Sequence, residues 1–81
     1  MPQIAILIGS KSDELVIKSC EEYLNYFGID YELKVLSAHR NPVECVDYVH
    51  KAESLGVKVF IAAAGMAAHL PGVIASHTTL P

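Results

Sequence analysis

Short apolar runs alternate with amphipathic segments along the chain. Residues 4–8 are continuously apolar and end at Gly9. A continuous run of this length is typical of a strand that is covered on both faces. The run at 57–64 is similar, whereas residues 31–36 alternate between polar and apolar. The pattern therefore predicts three strands, the second of which either has one wetter face or lies near an edge.

The segment after the first strand has the spacing of an amphipathic helix. Its apolar residues recur at intervals of three and four, which predicts a helix over about 13–27. Gly28 follows where a left-handed C-terminal cap belongs. The predicted buried stripe consists of Val16, Cys20, Tyr23, Leu24 and Phe27.

The second helix carries a clear start signal. Asn41 can act as the N-cap, Pro42 suits the first helical position, and Glu44 stands where a capping box needs a carboxylate. Gly56 is expected to end this helix, and Pro71 to start a third that runs to about Ser76. The predicted buried stripe of the second helix consists of Val43, Val46, Val49 and Ala52.

The resulting order is strand and helix in strict alternation, three times over. Such an order predicts an α/β fold with a parallel sheet, right-handed crossovers and helices on its faces. The apolar third strand needs a neighbour on each side or a cover. Residues 78–81 resemble the approach to a further strand. We therefore expect the chain to be part of a larger domain, or to be completed by a partner.

Composition narrows the class of protein. The chain has 81 residues, which allows one domain, and its net charge of −3 argues against a nucleic-acid surface. A hydrophobic content of 52% with 19% charged residues excludes disorder. No signal peptide and no run of membrane-spanning length is present, so a soluble cytoplasmic protein is expected, with no membrane partner. Its two cysteines are expected to be buried hydrophobes in a reducing compartment.

Three loops leave the carboxyl ends of the three strands, where open parallel sheets bind ligands. The first, 9–13, places Gly9, Ser10, Ser12 and Asp13 at a helix N-terminus, which favours an anion. The two hydroxyls can donate to a phosphate, and the carboxylate can accept from ribose hydroxyls. The alternative is simple capping of the helix by Ser12 or Asp13.

The second loop, 37–41, contains Arg40, the only arginine of the chain. A guanidinium suits bidentate recognition of a phosphate, although a solvated charge at a helix start is the simpler alternative. His39 lies between Ser37 and Arg40. An imidazole in this position is suited to general acid–base work, and a structural histidine is the alternative.

The third loop, 64–72, is rich in Gly and Ala. Small side chains let a backbone approach a flat ligand closely, and they also suit a tight turn into a helix. Two further histidines, His50 on the second helix and His77 in a polar tail, give no sign of a functional role. Because the four histidines lack the spacing of metal ligands, we expect no metal.

The motifs GSKSD, SAHR and AAHLPG, one after each strand, resemble the PurE family. These are the class I N5-carboxyaminoimidazole ribonucleotide mutases of purine biosynthesis. The resemblance covers all 81 residues with the motifs in order. It implies a three-layer, flavodoxin-like parallel sheet of order 2-1-3 with further strands missing. It also implies a ribonucleotide substrate, no organic cofactor, no metal, and a homo-oligomer, an octamer in the family.

The resemblance also implies roles for single residues. His39 matches the general acid–base, and Ser37 and Arg40 match phosphate contacts. The chain departs from the family at Met66, where Gly is common, and at Asn41, where Thr is common. The first-loop residues Gly9, Ser10, Ser12 and Asp13 match those that hold the ribose phosphate, and Gly65, Met66, Ala67, His69 and Leu70 match the loop around the imidazole and its carboxyl group.

Two other hypotheses about the function of the chain remain open at this point. One is a fragment that binds a nucleoside monophosphate but cannot close its pocket for catalysis. The other is an assembly module whose third strand pairs with a second copy or another chain.

Overall fold

The structure is a computed structural model and describes residues 2–65 and 69–81. Strands and helices alternate as expected, and a 3₁₀ turn at Lys11–Asp13 leads into the first helix. The elements are β1 (Ile4–Ile8), α1 (Glu14–Tyr26), β2 (Tyr31–Val35), α2 (Pro42–Ser54), β3 (Val59–Ala63) and α3 (Leu70–Ala75). None of the helices among these residues is long and apolar enough to cross a membrane.

The three strands form one parallel sheet in the order β2-β1-β3. In the register, Ile4 of the central strand faces Tyr31 on one side and Val59 on the other. Burial follows this order, because β1 has four fully buried residues whereas β2 and β3 have none. The predicted fold class and strand order are confirmed, and the alternating second strand lies at an edge.

A layer of side chains separates the sheet from helices on each face. On one face Leu7 packs with residues of α2 and α3, among them Val49 and Leu70. On the other face Ile6 and Ile8 pack against α1, which supplies the buried helical residues Ile17 and Leu24 of this cluster. The three-layer arrangement is thus present, with its two hydrophobic cores meeting across β1.

The predicted buried stripe of α1 is wrong in part. Val16 is 72% exposed and Phe27 66% exposed, and Tyr23 is exposed as well. Ile17, which the prediction left out, is buried together with Leu24. Both sets have helical spacing, because the helix is apolar over more than one stripe. Only the angle at which α1 crosses the sheet decides which stripe is covered.

The prediction for α2 needs two similar corrections. Cys45 replaces Val43 in the buried stripe with Val49 and Ala52, and Val43 is 71% exposed. The expected capping box is absent, because the Asn41 side chain makes no cap hydrogen bond to α2. Its Oδ1 atom instead accepts a hydrogen bond from the Ser37 N–H at 3.4 Å. The asparagine therefore stabilises the loop that precedes the helix.

Two glycines end helices in the predicted way. Gly28 has φ +67° and Gly56 has φ +107°, a region that L side chains rarely adopt. These two turns reverse the chain so that β2 and β3 begin beside β1. The Phe60 N–H of β3 donates to the Pro81 carbonyl oxygen at 2.9 Å, so the tail reaches the outer side of that strand.

Candidate active site

The carboxyl ends of the three strands enclose one cleft of about 440 Å³. Residues from all three predicted loops line it, including nine of the twelve predicted site residues. Ala38 and Ala64 also line it and were not predicted. Met66 and Ala67 lie outside the described residues. The lining residues are Gly9, Ser10, Ser12, Asp13, Ser37, Ala38, His39, Arg40, Ala64, Gly65 and Leu70.

The first loop is held by a reciprocal pair of hydrogen bonds. The Ser10 N–H donates to Oδ2 of Asp13 at 3.1 Å, and the Asp13 N–H donates to the Ser10 carbonyl oxygen at 3.0 Å. The Ser10 and Ser12 hydroxyl oxygens lie 2.6 Å apart. Asp13 makes no side-chain cap to α1, but it forms a capping box with Ser10 at the start of the 3₁₀ turn, so capping by Asp13 is part of what this loop does. The same hydrogen bonds fix the position of Ser10, whose hydroxyl contacts that of Ser12.

The Asp13 carboxylate lies between the first and third loops. A Cβ atom on Gly9 would stand 3.6 Å from its Oδ2, and one on Gly65 would stand 3.7 Å from its Oδ1. A side chain at either position would therefore contact the carboxylate. An anionic acceptor at this junction suits the hydroxyl groups of a sugar.

The second loop is shaped by Ser37. Its Oγ accepts hydrogen bonds from the N–H of His39 at 3.3 Å and of Arg40 at 3.1 Å. The Asn41 N–H donates to the Ser37 carbonyl oxygen at 2.8 Å. These bonds close a tight turn that presents the exposed His39 and Arg40 side chains at the cleft. A local serine turn of this kind orients side chains without help from the core.

His39 and His69 form a pair that the sequence did not predict. The His39 Nε2 and the His69 Nδ1 lie 3.3 Å apart, and the ring centroids are 5.5 Å apart. One ring must donate an N–H to a bare nitrogen of the other, so the two tautomers are linked. His69 adopts φ +61° at the start of α3, and this left-handed backbone directs the chain into the helix.

A second cleft of about 340 Å³ adjoins the first and shares Gly9, Ser10, Ser37 and Arg40 with it. Lys11 lines only this second cleft. The two clefts together form a groove. Arg40 lines both clefts, whereas Asp13 and His39 line only the first, and the part lined by Lys11 and Arg40 is called the cationic end. Lys11 was not among the predicted site residues, although it lies within the GSKSD motif. Its positive charge beside two serines was the available signal.

Fold and cleft together define a flavodoxin-like α/β protein with a cleft at the carboxyl edge of its sheet. Comparison with known protein families then identifies the family. The family described as AIR carboxylase matches residues 3–81, and the chain belongs to this family. The predicted resemblance to PurE proteins is therefore confirmed.

Individual relatives agree with this assignment. The chain is 51% identical to the N5-carboxyaminoimidazole ribonucleotide mutase of Saccharolobus solfataricus and 52% identical to that of Thermotoga maritima. Each match covers the whole of this chain, but only 51% of the length of the Saccharolobus protein and 47% of the length of the Thermotoga protein. The crystal structure of Treponema denticola PurE superposes with a TM-score of 0.88 at 29% identity, over 98% of this chain and 51% of that one. The chain thus spans about half the length of the relatives it matches.

Proposed function

We propose that this chain carries the substrate groove of an N5-carboxyaminoimidazole ribonucleotide mutase of purine biosynthesis. The observation that supports this best is the division of the groove. Lys11 lines only the second cleft, His39 and Asp13 line only the first, and Arg40 lies where the two clefts meet. A ribonucleotide has the matching order of groups, because its phosphate and its base stand at opposite ends of the sugar.

The proposed orientation follows from charge and hydrogen-bonding capacity. The phosphate binds at the cationic end, where the Arg40 guanidinium and the serine hydroxyls donate to its oxygens. The Asp13 carboxylate repels a phosphate and accepts from the ribose hydroxyls. The aminoimidazole then lies beside His39. Gly65 and Leu70 line the same part of the cleft and would contact the ring.

The proposed reaction moves one carboxylate and leaves the proton count unchanged. The carboxylate on the exocyclic nitrogen leaves as CO2, the electron pair of the broken bond stays on nitrogen, and nitrogen takes a proton from His39. CO2 then forms a bond to C4 of the imidazole. His39 takes the proton that C4 carried, which restores the aromatic ring. General acid–base help of this kind contributes on the order of 10² to 10⁴ in rate.

The free CO2 must stay near C4 between the two steps. Apolar side chains from the second and third loops line the cleft, namely Ala38, Ala64 and Leu70. They offer CO2 no competing hydrogen bond and exclude water from it. Binding energy at the distant phosphate holds the ring in place while the bond forms.

The remaining parts of the proposal concern the whole protein. The relatives are about twice as long, which supports a single larger domain of which residues 1–81 form a part. We further propose a cytoplasmic homo-oligomer, an octamer as in the family, that needs neither an organic cofactor nor a metal for this reaction.

The first test is calorimetric titration of the chain with aminoimidazole ribonucleotide, and with the unphosphorylated riboside as the ligand control. We expect saturable binding that requires the phosphate. Arg40→Ala should weaken it about 10- to 100-fold, the value of a hydrogen bond to a charged group. Lys58→Ala is the matched control, because it removes an exposed cation that precedes β3 at the opposite end from Gly65. Equal binding of ribonucleotide and riboside would contradict the proposal.

The second arm measures turnover of N5-carboxyaminoimidazole ribonucleotide. His39→Asn should abolish turnover and leave ribonucleotide binding within a few-fold, because it removes the proton carrier and not the phosphate site. Unchanged turnover would refute the role of His39. Binding without any turnover in the unaltered chain would favour the fragment that binds a nucleotide but does not catalyse.

A further inference from the structure

We propose that His50 and His77 form a binding site for a divalent transition-metal cation such as Zn²⁺, apart from the substrate groove. The sequence separates the two residues by 27 positions and assigns them no role. The fold brings their rings together, with centroids 5.5 Å apart and planes at 69°. Imidazole is the side chain that such cations bind most readily.

The separation of the rings matches that of two ligands on one ion. Two imidazoles bound at about 2.1 Å to a tetrahedral zinc place their ring centroids about 5.3 Å apart. The observed 5.5 Å is close to that separation, and rotation of the rings would direct one nitrogen of each at a common ion. The backbones are held in place, because His50 lies within α2 and the His77 N–H donates to the Ile74 carbonyl oxygen at 3.0 Å.

Further oxygen donors surround the pair. A cleft of about 500 Å³ is lined by His50, Glu53, Ser76, His77, Thr78 and Thr79. Glu53 stands three positions after His50 on α2, so the two side chains share a face of the helix. Glu53 thus adds a carboxylate to the cleft that holds the two imidazoles, and this combination of donors suits several divalent metals.

The site is open and incompletely assembled. Among residues 2–65 and 69–81 no three His, Cys, Asp or Glu side chains already stand in a metal-binding group. With two ligands in place and water in the remaining positions, we infer an exchangeable ion rather than a structural one. Both histidines are exposed, so an ion can enter without a change in the fold.

The electrostatic setting also favours a cation. His50 lies near the carboxyl end of α2, and His77 follows the carboxyl end of α3. The unpaired carbonyl groups at helix C-termini carry partial negative charge. Glu53 adds a carboxylate, and the exposed Lys51 is the one cation in the last turn of α2.

Distance along α2 separates this site from the substrate groove. His50 is nine residues beyond Asn41, which corresponds to about 14 Å along the helix axis. His39 lines the groove and its ring contacts that of His69, so zinc can bind this second pair of imidazoles as well. Any experiment must therefore remove that pair before assigning bound metal to His50 and His77.

The test is titration of the chain with zinc chloride in a His39→Asn, His69→Asn background. We expect one Zn²⁺ bound per chain. His50→Gln and His77→Gln are each added to that background. Changing a residue that only hydrogen-bonds to a metal ligand weakens metal binding about 10- to 100-fold, so loss of a ligand itself should weaken it at least as much. His50 and His77 are exposed, so equal far-UV circular dichroism should verify that the variants fold.

A second measurement identifies the ligands directly. Ni²⁺ added to the same background should broaden the NMR ring signals of His50 and His77 first. No zinc binding in the background chain, or zinc binding that neither glutamine variant weakens, would overturn the proposal. Failure of the metal site would leave the mutase proposal untouched, since the ribonucleotide titration uses neither residue.

Discussion

At the scale of single residues, the loops of the groove are held by short-range hydrogen bonds rather than by burial. Ser37 accepts two backbone N–H groups, and Asp13 accepts one from Ser10. Local bonds of this kind depend on side chains a few positions apart. The residue types in the motifs therefore suffice to shape the first two loops, whereas the contact between His39 and His69 depends on the fold.

The two cysteines differ in a way that chemistry can detect. Cys45 lies on the side of α2 that faces the core and is fully buried there, and this burial raises the pKa of its thiol. Cys20 is only half-buried on the other face of the sheet. Because the thiolate is the reactive form and must be accessible, Cys45 should react with a disulfide reagent only when the chain opens.

We therefore expect one fast and one slow thiol with Ellman's reagent. Cys20→Ser should remove the fast phase and leave the slow one, and denaturant should merge the two. Two equally fast thiols in the folded chain would contradict the buried position of Cys45.

At the scale of elements, α1 shows how an amphipathic pattern can be ambiguous. Ile17 and Leu24 face the sheet, whereas Val16, Tyr23 and Phe27 remain exposed. The exposed set keeps helical spacing as good as that of the buried set. Tyr26 and Phe27 also pack edge to face, with ring centroids 5.0 Å apart. The outer surface of α1 is thus unusually apolar for an exposed helix.

The difference in burial between neighbouring residues of this helix predicts that substitutions there will change the free energy of unfolding by different amounts. Ile17→Val should lower the free energy of unfolding by about 0.5–1.5 kcal/mol, because it removes a buried methylene group. Val16→Ala should change it by no more than about 0.5 kcal/mol, as is usual at exposed positions. Urea unfolding of both variants against the unaltered chain measures this difference. A larger loss for Val16→Ala would mean that this face of α1 is covered in solution.

At the scale of the whole molecule, the backbone hydrogen-bonding groups of the central strand are better paired than those of the outer strands. β1 has a neighbour on each side, whereas β3 pairs with β1 on one side only. The Val59 N–H donates toward β1, and the Phe60 N–H points the other way, to Pro81. Alternation along a parallel strand therefore directs the Ala62 N–H away from β1.

Hydrogen exchange followed by NMR tests this asymmetry. The Ala62 amide should exchange faster than those of Ile61 and Ala63, which the register directs toward β1. The β1 amides of Ile6 and Leu7 should be the slowest group. If Ala62 is protected as strongly as Ala63, and loses that protection on dilution, the outer edge of β3 is paired with a second copy in solution.

The sequence by itself determined the α/β class, the helix ends at Gly28 and Gly56, and the three loops that meet at one edge. These follow from hydrophobic periodicity, glycine conformation and the geometry of parallel sheets, all of which act over short stretches of chain. The family assignment rested on motifs in those same loops.

Only the tertiary structure decided which stripe of α1 is buried, that Asn41 bonds to Ser37 instead of capping α2, and that Lys11 lines the groove. It also decided that His39 meets His69 and that His50 meets His77, pairs that lie 30 and 27 residues apart. Contacts at such separations depend on crossing angles and on how helices sit on the sheet. Periodicity along the chain identifies the apolar stripes of a helix, but it sets neither the crossing angle nor which of two apolar stripes faces the sheet.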